Sequence, residues 1–292
     1  MKKTDRRCPL CYANFKFLFE NKKFRFIKCP VCKIVTLERL PSKIKLKNLY
    51  DKRYFYSPSP VEYGYADYPS EHERFKKTFL LKAKKILSRF FFKNKMLLDV
   101  GCAAGFFLEV MKDKGFNVKG VELSSEMTRI AKKIIGNNNI LEGFFEDMSF
   151  NNDSFDLITF WDTLEHFRDP FFILKKCYKI LKKDGLLCIE TQNPESFLAR
   201  FFGKKWHHYK PLEHLWYFPP LVLKRILINS GFSSVKIKHI AAGRWVSWDF
   251  IKTKCLRYFP FFKKFFFIFD FLKNKDFYIN PLDEYIVTAK KA

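Results

Sequence analysis

Three sets of residues in this chain have the types and spacing to do chemistry. The first lies in Leu97 to Gly115, LLDVGCAAGFFLEVMKDKG, where Asp99, Gly101, Ala103 and Gly105 alternate. Residues with little or no side chain let the main chain turn sharply from strand to helix and pass close against a ligand. Glu122, in GVELS, stands about 20 residues beyond the first glycine, at the place of a ribose-binding acid. A carboxylate has two oxygens to offer a diol. Together these residues predict a nucleotide-type cofactor site. The second set is Cys8, Cys11, Cys29 and Cys32, reading CPLC and CPVC. Two C-x2-C turns at this separation fit a zinc site closed by four thiolates, with no open position, so the ion would be structural. The segment is too short to build its own core, and metal binding would supply its folding energy. A redox C-x-x-C is the alternative; two copies in one short module argue against it. The third set is histidine. His214 follows Glu213 in EHLWYF, and His166 lies in LEHFRDP. Histidine is the side chain suited to moving a proton near neutral pH. His207 and His208, in KKWHHYK, could meet an acidic substrate; His72 and His239 look incidental.

These groups need a frame. MLLDV, NVKGVE, FDLITFW and LLCIET read as short apolar strands, and SSVKIKHI and DEYIVTAK supply two more. Amphipathic helices lie between them. MTRIAKKII has Ser124 or Ser125 as N-cap, and Asp169-Pro170 opens another helix with proline at its first position. Such alternation predicts an α/β fold with a largely parallel sheet covered on both faces. Ligands then bind beyond the carboxyl ends of the strands at the topological switch point. Cys177, Cys188 and Cys255 fall in apolar patterns and are expected to pack in the core, and Cys102 to be a small loop residue.

Asp99-x-Gly101-x-Ala103-x-Gly105 resembles the first motif, D/E-x-G-x-G-x-G, of the class I S-adenosylmethionine (SAM) dependent methyltransferases, with Ala103 at the middle glycine. Phe144 to Pro170, Lys179 to Ser196 and Glu213 to Phe232 are similar to later blocks of that family, in order. The last is similar to a block common in zinc-ribbon methyltransferases, some of which act on sugars. The resemblance covers most of residues 96–240. It implies a Rossmann-like, mostly parallel, seven-stranded sheet whose last strand is antiparallel, behind a small N-terminal four-cysteine zinc ribbon. It divides the chain into the ribbon (1–45), a tyrosine-rich lead-in and helix (46–95) and a methyltransferase domain (96–292). It also implies roles. Gly101, Ala103 and Gly105 would cradle the methionine end of SAM, with Asp99 orienting the loop. Glu122 and Leu123 would serve the ribose, Phe145 and Glu146 the adenine, and Trp161 would border the cofactor. His214 would be the base, with Glu213 beside it and His166 as second choice. The family often has aspartate where Phe144 stands, and zinc knuckles usually carry glycine where Tyr12 and Lys33 stand. The tyrosines of Tyr50 to Phe75 would either line the acceptor pocket or pack on the helices.

Composition bounds the rest. At 48% hydrophobic residues in 292, the chain can bury a large core and is not disordered. No run reaches the ~20 apolar residues that span a bilayer, and MKKTDRRCPLC lacks the apolar stretch of a secretory signal. A cytoplasmic setting with reduced cysteines is expected. The formal net charge of +25 admits nucleic acid, anionic lipid or acidic substrates as partners. Lysine is spread over the whole chain, which favours a general compositional bias and makes nucleic acid an unlikely partner. An insertion of about 244–281 places Phe261, Phe262, Phe265, Phe266, Phe269 and Leu272 on one helical face, flanked by cations. That pattern predicts a lid, or a helix resting on an anionic membrane through 259–272. The expected reaction is methyl transfer to an oxygen or carbon of a small molecule, nucleotide sugar or glycan. The alternatives are an RNA methyltransferase, and a zinc-ribbon binding protein on a non-catalytic scaffold.

Overall fold

The computed structural model describes residues 3–57, 64–259, 261, 266, 268–273 and 275–292. The N-terminal module is antiparallel: β1 (Lys3–Arg7), β2 (Asn14–Asn21), β3 (Phe24–Lys28) and β4 (Val35–Leu37). Each C-x2-C turn is closed the same way. The Tyr12 and Lys33 N–H groups donate to the carbonyls of Cys8 and Cys29, and the Cys8 and Cys29 N–H groups donate to Ala13 and Ile34. Tyr12 and Lys33 take up the left-handed φ of +58° and +67° that glycine would adopt more cheaply. The knuckle turns therefore form without glycine.

The lead-in carries α1 (Lys43–Leu49), α2 (Lys52–Phe55) and α3 (His72–Leu87). Strands and helices then alternate as the sequence predicts: β5 (Met96–Val100), α4 (Phe106–Asp113), β6 (Asn117–Glu122), α5 (Ser125–Ile135), β7 (Ile140–Glu142), β8 (Phe155–Trp161), α6 (Pro170–Ile180) and β9 (Leu181–Gln192). Ser124 caps α5 by accepting from the Met127 N–H, and Asp169 caps α6 by accepting from the Phe172 N–H at 3.0 Å. After α7 (Phe197–Phe202), β10 (Trp216–Tyr217) and α8 (Pro220–Asn229) come β11 (Phe232–Lys238), β12 (Arg244–Ser247), α9 (Trp248–Tyr258), β13 (Asp276–Ile279) and β14 (Glu284–Lys291).

The large sheet runs β11-β14-β9-β8-β5-β6-β7. Its five central and edge strands from β7 to β9 are parallel, and β14 is antiparallel to both β9 and β11. The expected seven-stranded, mostly parallel sheet is present. The chain leaves β5 toward β6 and β7, then returns to β8 on the other side, so the order reverses at β5/β8. Helices α3, α4 and α5 cover one face, and α6 and α8 the other.

The four-cysteine module does not stand apart. Strand β10 adds to its sheet, pairing Trp216 with Thr36 and Tyr217 with Val35. Thr36 Oγ1 donates to the Leu215 carbonyl at 2.8 Å, and the Arg6 guanidinium lies over the Trp216 ring. Phe15, Phe26 and Ile27 of the module share one apolar core with Ile158 and Phe160 of β8.

The insertion contains more than the helical face expected from its sequence. Its helix is α9, and β12 and β13 pair beside it. Of the expected apolar face, Phe262 and Phe265 lie outside the described residues. Phe266 is buried, Phe261 is exposed, Ile268 and Phe269 form a turn, and Asp270–Leu272 is a single 3-10 turn. The described part of 259–272 is thus not one continuous α-helical stripe. The Trp248 ring of α9 meets Phe266, Phe269 and Phe277. No helix among the described residues is long and apolar enough to cross a membrane. Cys177 and Cys188 are fully buried as expected, whereas Cys255 is only half-buried on α9.

Candidate active site

The loop after β5 is built by the close approach that its small residues allow. Gly101 and Gly105 sit at φ +75° and +81°, and a Cβ on Gly101 would lie 2.4 Å from Thr163 Cγ2. Ala103 takes φ +46°, an L-residue in a turn where glycine is usual. The buried Asp99 accepts from the Thr159 hydroxyl of β8 at 2.6 Å. Burial pushes the Asp99 carboxyl up to about 8, against the lowering effect of that hydroxyl.

Glu122 ends β6 and holds the loop directly. Its carboxylate accepts from the Ala103 N–H at 2.8 Å and the Ser124 N–H at 2.7 Å. Burial raises its pKa, and these main-chain donors oppose the rise. An ionised carboxylate offers about four acceptor positions, so these main-chain donors do not exhaust it. Leu123 is half-buried between Glu122 and the N-cap of α5. Further along, the Phe145 ring is buried against Phe150, Phe160 and Phe167, and its carbonyl accepts from Lys176 Nζ. Glu146 Oε2 is buried without a hydrogen-bond partner. Trp161 closes β8 with its ring turned toward α3 and α4, against Phe79 and Phe107 and 4.8 Å from Lys82 Nζ.

Beyond the carboxyl ends of β8 and β9 the three residues expected to handle protons come together. The rings of His166 and His214 are 5.1 Å apart. His214 Nδ1 meets the His208 carbonyl at 2.8 Å; only a protonated Nδ1 can bond there, which leaves Nε2 with its lone pair. Burial holds His214 well below the ordinary histidine range, and the neighbouring His166 and Lys210 add to this. Burial likewise lowers His166 to about 4. Both imidazoles are neutral at pH 7. Glu213 accepts from Tyr54 Oη and from Lys210 Nζ, each at 2.9 Å. Those donors and charges hold it below the usual carboxylate range although burial opposes them.

Further residues reach this cluster from other elements. Tyr50 Oη hydrogen-bonds His166 Nδ1, so Tyr50 and Tyr54 of the lead-in contact the His166 and Glu213 side chains respectively. Tyr68, from the same lead-in, packs on Phe106 instead. Tyr63 lies outside the described residues. The fully buried Glu165 accepts from Thr191 and Gln192 of β9, and burial with nearby Asp162 pushes it up to about 8. Arg244, the first residue of β12, pairs with Glu284 and faces Asp162 at 3.7 Å. His72, by contrast, ties α3 to Glu109 of α4 at 2.7 Å, outside the pocket.

At the far end of the chain's first module, the four cysteine sulfurs lie within 4.8 Å of one another, with Cys8 to Cys32 at 3.6 Å and Cys11 to Cys29 at 3.3 Å.

Comparison with known proteins agrees with this geometry. A family profile described as a methyltransferase domain matches residues 71–237. The chain is similar to the ubiquinone biosynthesis O-methyltransferase of Actinobacillus pleuropneumoniae serotype 5b, 33% identical over 109 residues, or 34% of this chain and 47% of the relative. It is 32% identical over 163 residues to the protein of that name from Neisseria meningitidis serogroup A, covering 50% of this chain and 66% of the relative. It thus spans about half the length of the first of these relatives. Among solved structures, a SAM-dependent methyltransferase from Archaeoglobus fulgidus superposes with a TM-score of 0.52 at 22% identity, over 77% of this chain and 99% of that one. The YcgJ protein of Bacillus subtilis gives 0.51 at 16%, over 72% and 97%. These structural likenesses concern the fold.

Proposed function

The chain belongs to the class I SAM-dependent methyltransferases, and from that premise we propose that it methylates a hydroxyl oxygen of a small-molecule acceptor, with His214 as general base. The observation that carries this is the hydrogen bond from His214 Nδ1 to the His208 carbonyl in a pocket that keeps the imidazole neutral. The family's cofactor supplies an electrophilic methyl carbon when bound. Gly101, Ala103, Gly105 and Asp99 would hold its methionine end, and Glu122 its ribose. The fit is supported by the acceptor positions Glu122 keeps free and by the unpartnered, buried Glu146 Oε2 on the adenine side.

His214 Nε2 would take the proton of the acceptor hydroxyl as that oxygen gains the methyl group, whose bond to the sulfonium sulfur breaks to release S-adenosylhomocysteine, so that the methyl ether and an imidazolium result. Burial of that imidazolium beside His166 makes it a strong acid, so the proton leaves readily to solvent after the step. Tyr50 and Tyr54 close the acceptor side and fix His166 and Glu213. The relatives named O-methyltransferases favour oxygen over carbon as the acceptor atom.

The test is release of S-adenosylhomocysteine with phenols, nucleotide sugars and lipid-linked glycans as acceptors, followed by His214→Asn on the best one. Asn keeps a donor for the His208 carbonyl but has no basic nitrogen. Loss of a positioned base costs about 10²- to 10⁴-fold in kcat. That loss with unchanged S-adenosylhomocysteine affinity is expected. A kcat within threefold of wild type would remove His214 from the chemistry, and a best acceptor methylated on carbon would overturn the oxygen assignment.

We further infer that Cys8, Cys11, Cys29 and Cys32 hold zinc. Zinc–sulfur bonds of about 2.3 Å put tetrahedral sulfurs about 3.8 Å apart, close to the separations present. No open position remains, so the ion's part is structural. Chelation should unfold the module and, through β4 and β10, loosen the segment that carries His214.

A further inference from the structure

A second group of ligating side chains converges beside the proposed base. His207 Nε2 lies 3.5 Å and His208 Nε2 3.4 Å from Asp283 Oδ2. His208 Nε2 also lies 3.5 Å from Glu284 Oε1. The ligand atoms of His207, His208 and Asp283 are all within 4.8 Å of one another. These separations are longer than good hydrogen bonds between nitrogen and oxygen, which cluster near 2.9 Å. They do match the edge of a coordination tetrahedron. With metal–nitrogen and metal–oxygen bonds of about 2.1 Å, neighbouring ligand atoms lie about 3.4 Å apart.

The surroundings supply the outer contacts such ligands need. Asp283 is 1% exposed, and its Oδ2 accepts from Trp206 Nε1 at 3.2 Å. The Tyr258 oxygen accepts the His207 main-chain N–H at 2.7 Å and lies 2.9 Å from His207 Nδ1. Its second lone pair can take the Nδ1 proton, which leaves the Nε2 lone pair turned toward Asp283. Carboxylate and phenol partners of this kind fix the orientation of metal-bound histidine. Glu284 gives its Oε2 to Arg244 and presents Oε1 to His208, beside the group.

We propose that His207, His208 and Asp283 bind a divalent transition-metal ion, of the class that favours imidazole and carboxylate together, zinc first. The site is separate from the four cysteines and makes no use of them. Its part is to position the base. The His208 carbonyl that accepts from His214 Nδ1 also accepts from Tyr217 Oη at 3.2 Å. An ion held by the His208 side chain would fix that carbonyl. Through Tyr258 it would also anchor α9, the helix of the insertion.

The experiment is metal analysis of the purified full chain after loading with zinc and removal of excess. Wild type is compared with His208→Ala and Asp283→Asn, with folding checked by circular dichroism. Each variant should lose one equivalent of zinc per chain, and the cysteine-bound equivalent should stay. Zinc-edge X-ray absorption of the wild type asks the same question without a variant. Nitrogen and oxygen neighbours at about 2.1 Å beside a sulfur shell are expected. Equal zinc content in folded variants, or a shell of sulfur alone, would overturn the proposal. A positioning role further requires that His208→Ala lower kcat while leaving the KM for the acceptor within about twofold, and that added zinc not restore kcat.

Discussion

Replacing Glu122 with glutamine tests the proposed cofactor site most directly, because one carboxylate has two duties. It binds the main chain of Ala103 and Ser124, and by the proposal it also binds the ribose. Glutamine keeps one acceptor oxygen and turns an NH2 group, a donor, toward an N–H that is also a donor. At least one charge-assisted hydrogen bond is lost, at a cost of about 1.5–3 kcal/mol. Unfolding entropy of about 2.1 cal/mol/K per residue over 292 residues is about 0.6 kcal/mol/K, so Tm should fall by about 2.5–5 °C. The remaining oxygen is drawn to one of the two main-chain donors, so the diol loses an acceptor as well. A second loss of the same size weakens S-adenosylhomocysteine binding by about 10- to 100-fold, at 1.4 kcal/mol per decade. Calorimetric titration and thermal melts of Glu122→Gln read both numbers. Glu142→Gln, on the exposed neighbouring strand β7, is the control. Affinity within threefold of wild type together with an unchanged Tm would refute the reasoning.

Two further outcomes follow. His166 is held near 4 in the folded chain, against about 6.5 when unfolded, so the unfolded state binds more protons between those values and stability falls as pH drops through that window. The loss from His166 reaches about 3 kcal/mol at most; melts from pH 7.5 to 5 should show the decline, and His166→Gln should reduce it, whereas an identical slope would show that His166 does not drive it. Tyr12 is 76% exposed at φ +58°, so Tyr12→Gly gives up little packing and relieves left-handed strain. A gain of up to about 1 kcal/mol, or about 1.5 °C in Tm, is expected, and a lower Tm would show that the turn is not strained.

The sequence was most legible where chemistry and backbone geometry coincide locally. A buried strand, small residues and a helix start must adjoin for the turn after β5 to form, so Asp99 to Gly105 announced themselves. The caps Ser124 and Asp169 are similarly local, since each bonds an N–H three residues on. The four cysteines were legible because each pair shares a turn. The apolar spacing of 259–272 carried less, because a spacing of three and four names a helical face but not what that face packs on; Phe266 and Phe269 meet the Trp248 ring of α9. The sequence by itself thus determined the α/β alternation, the glycine-rich turn after β5 and the two C-x2-C turns, all of which rest on contacts within a few residues. Only the tertiary structure decided that Thr159 meets Asp99, that Tyr50 and Tyr54 reach His166 and Glu213, and that β10 joins the four-cysteine sheet to the His214 segment. Those contacts join residues 60 to 180 positions apart, and strand order and register, set by burial across the whole sheet, bring them together.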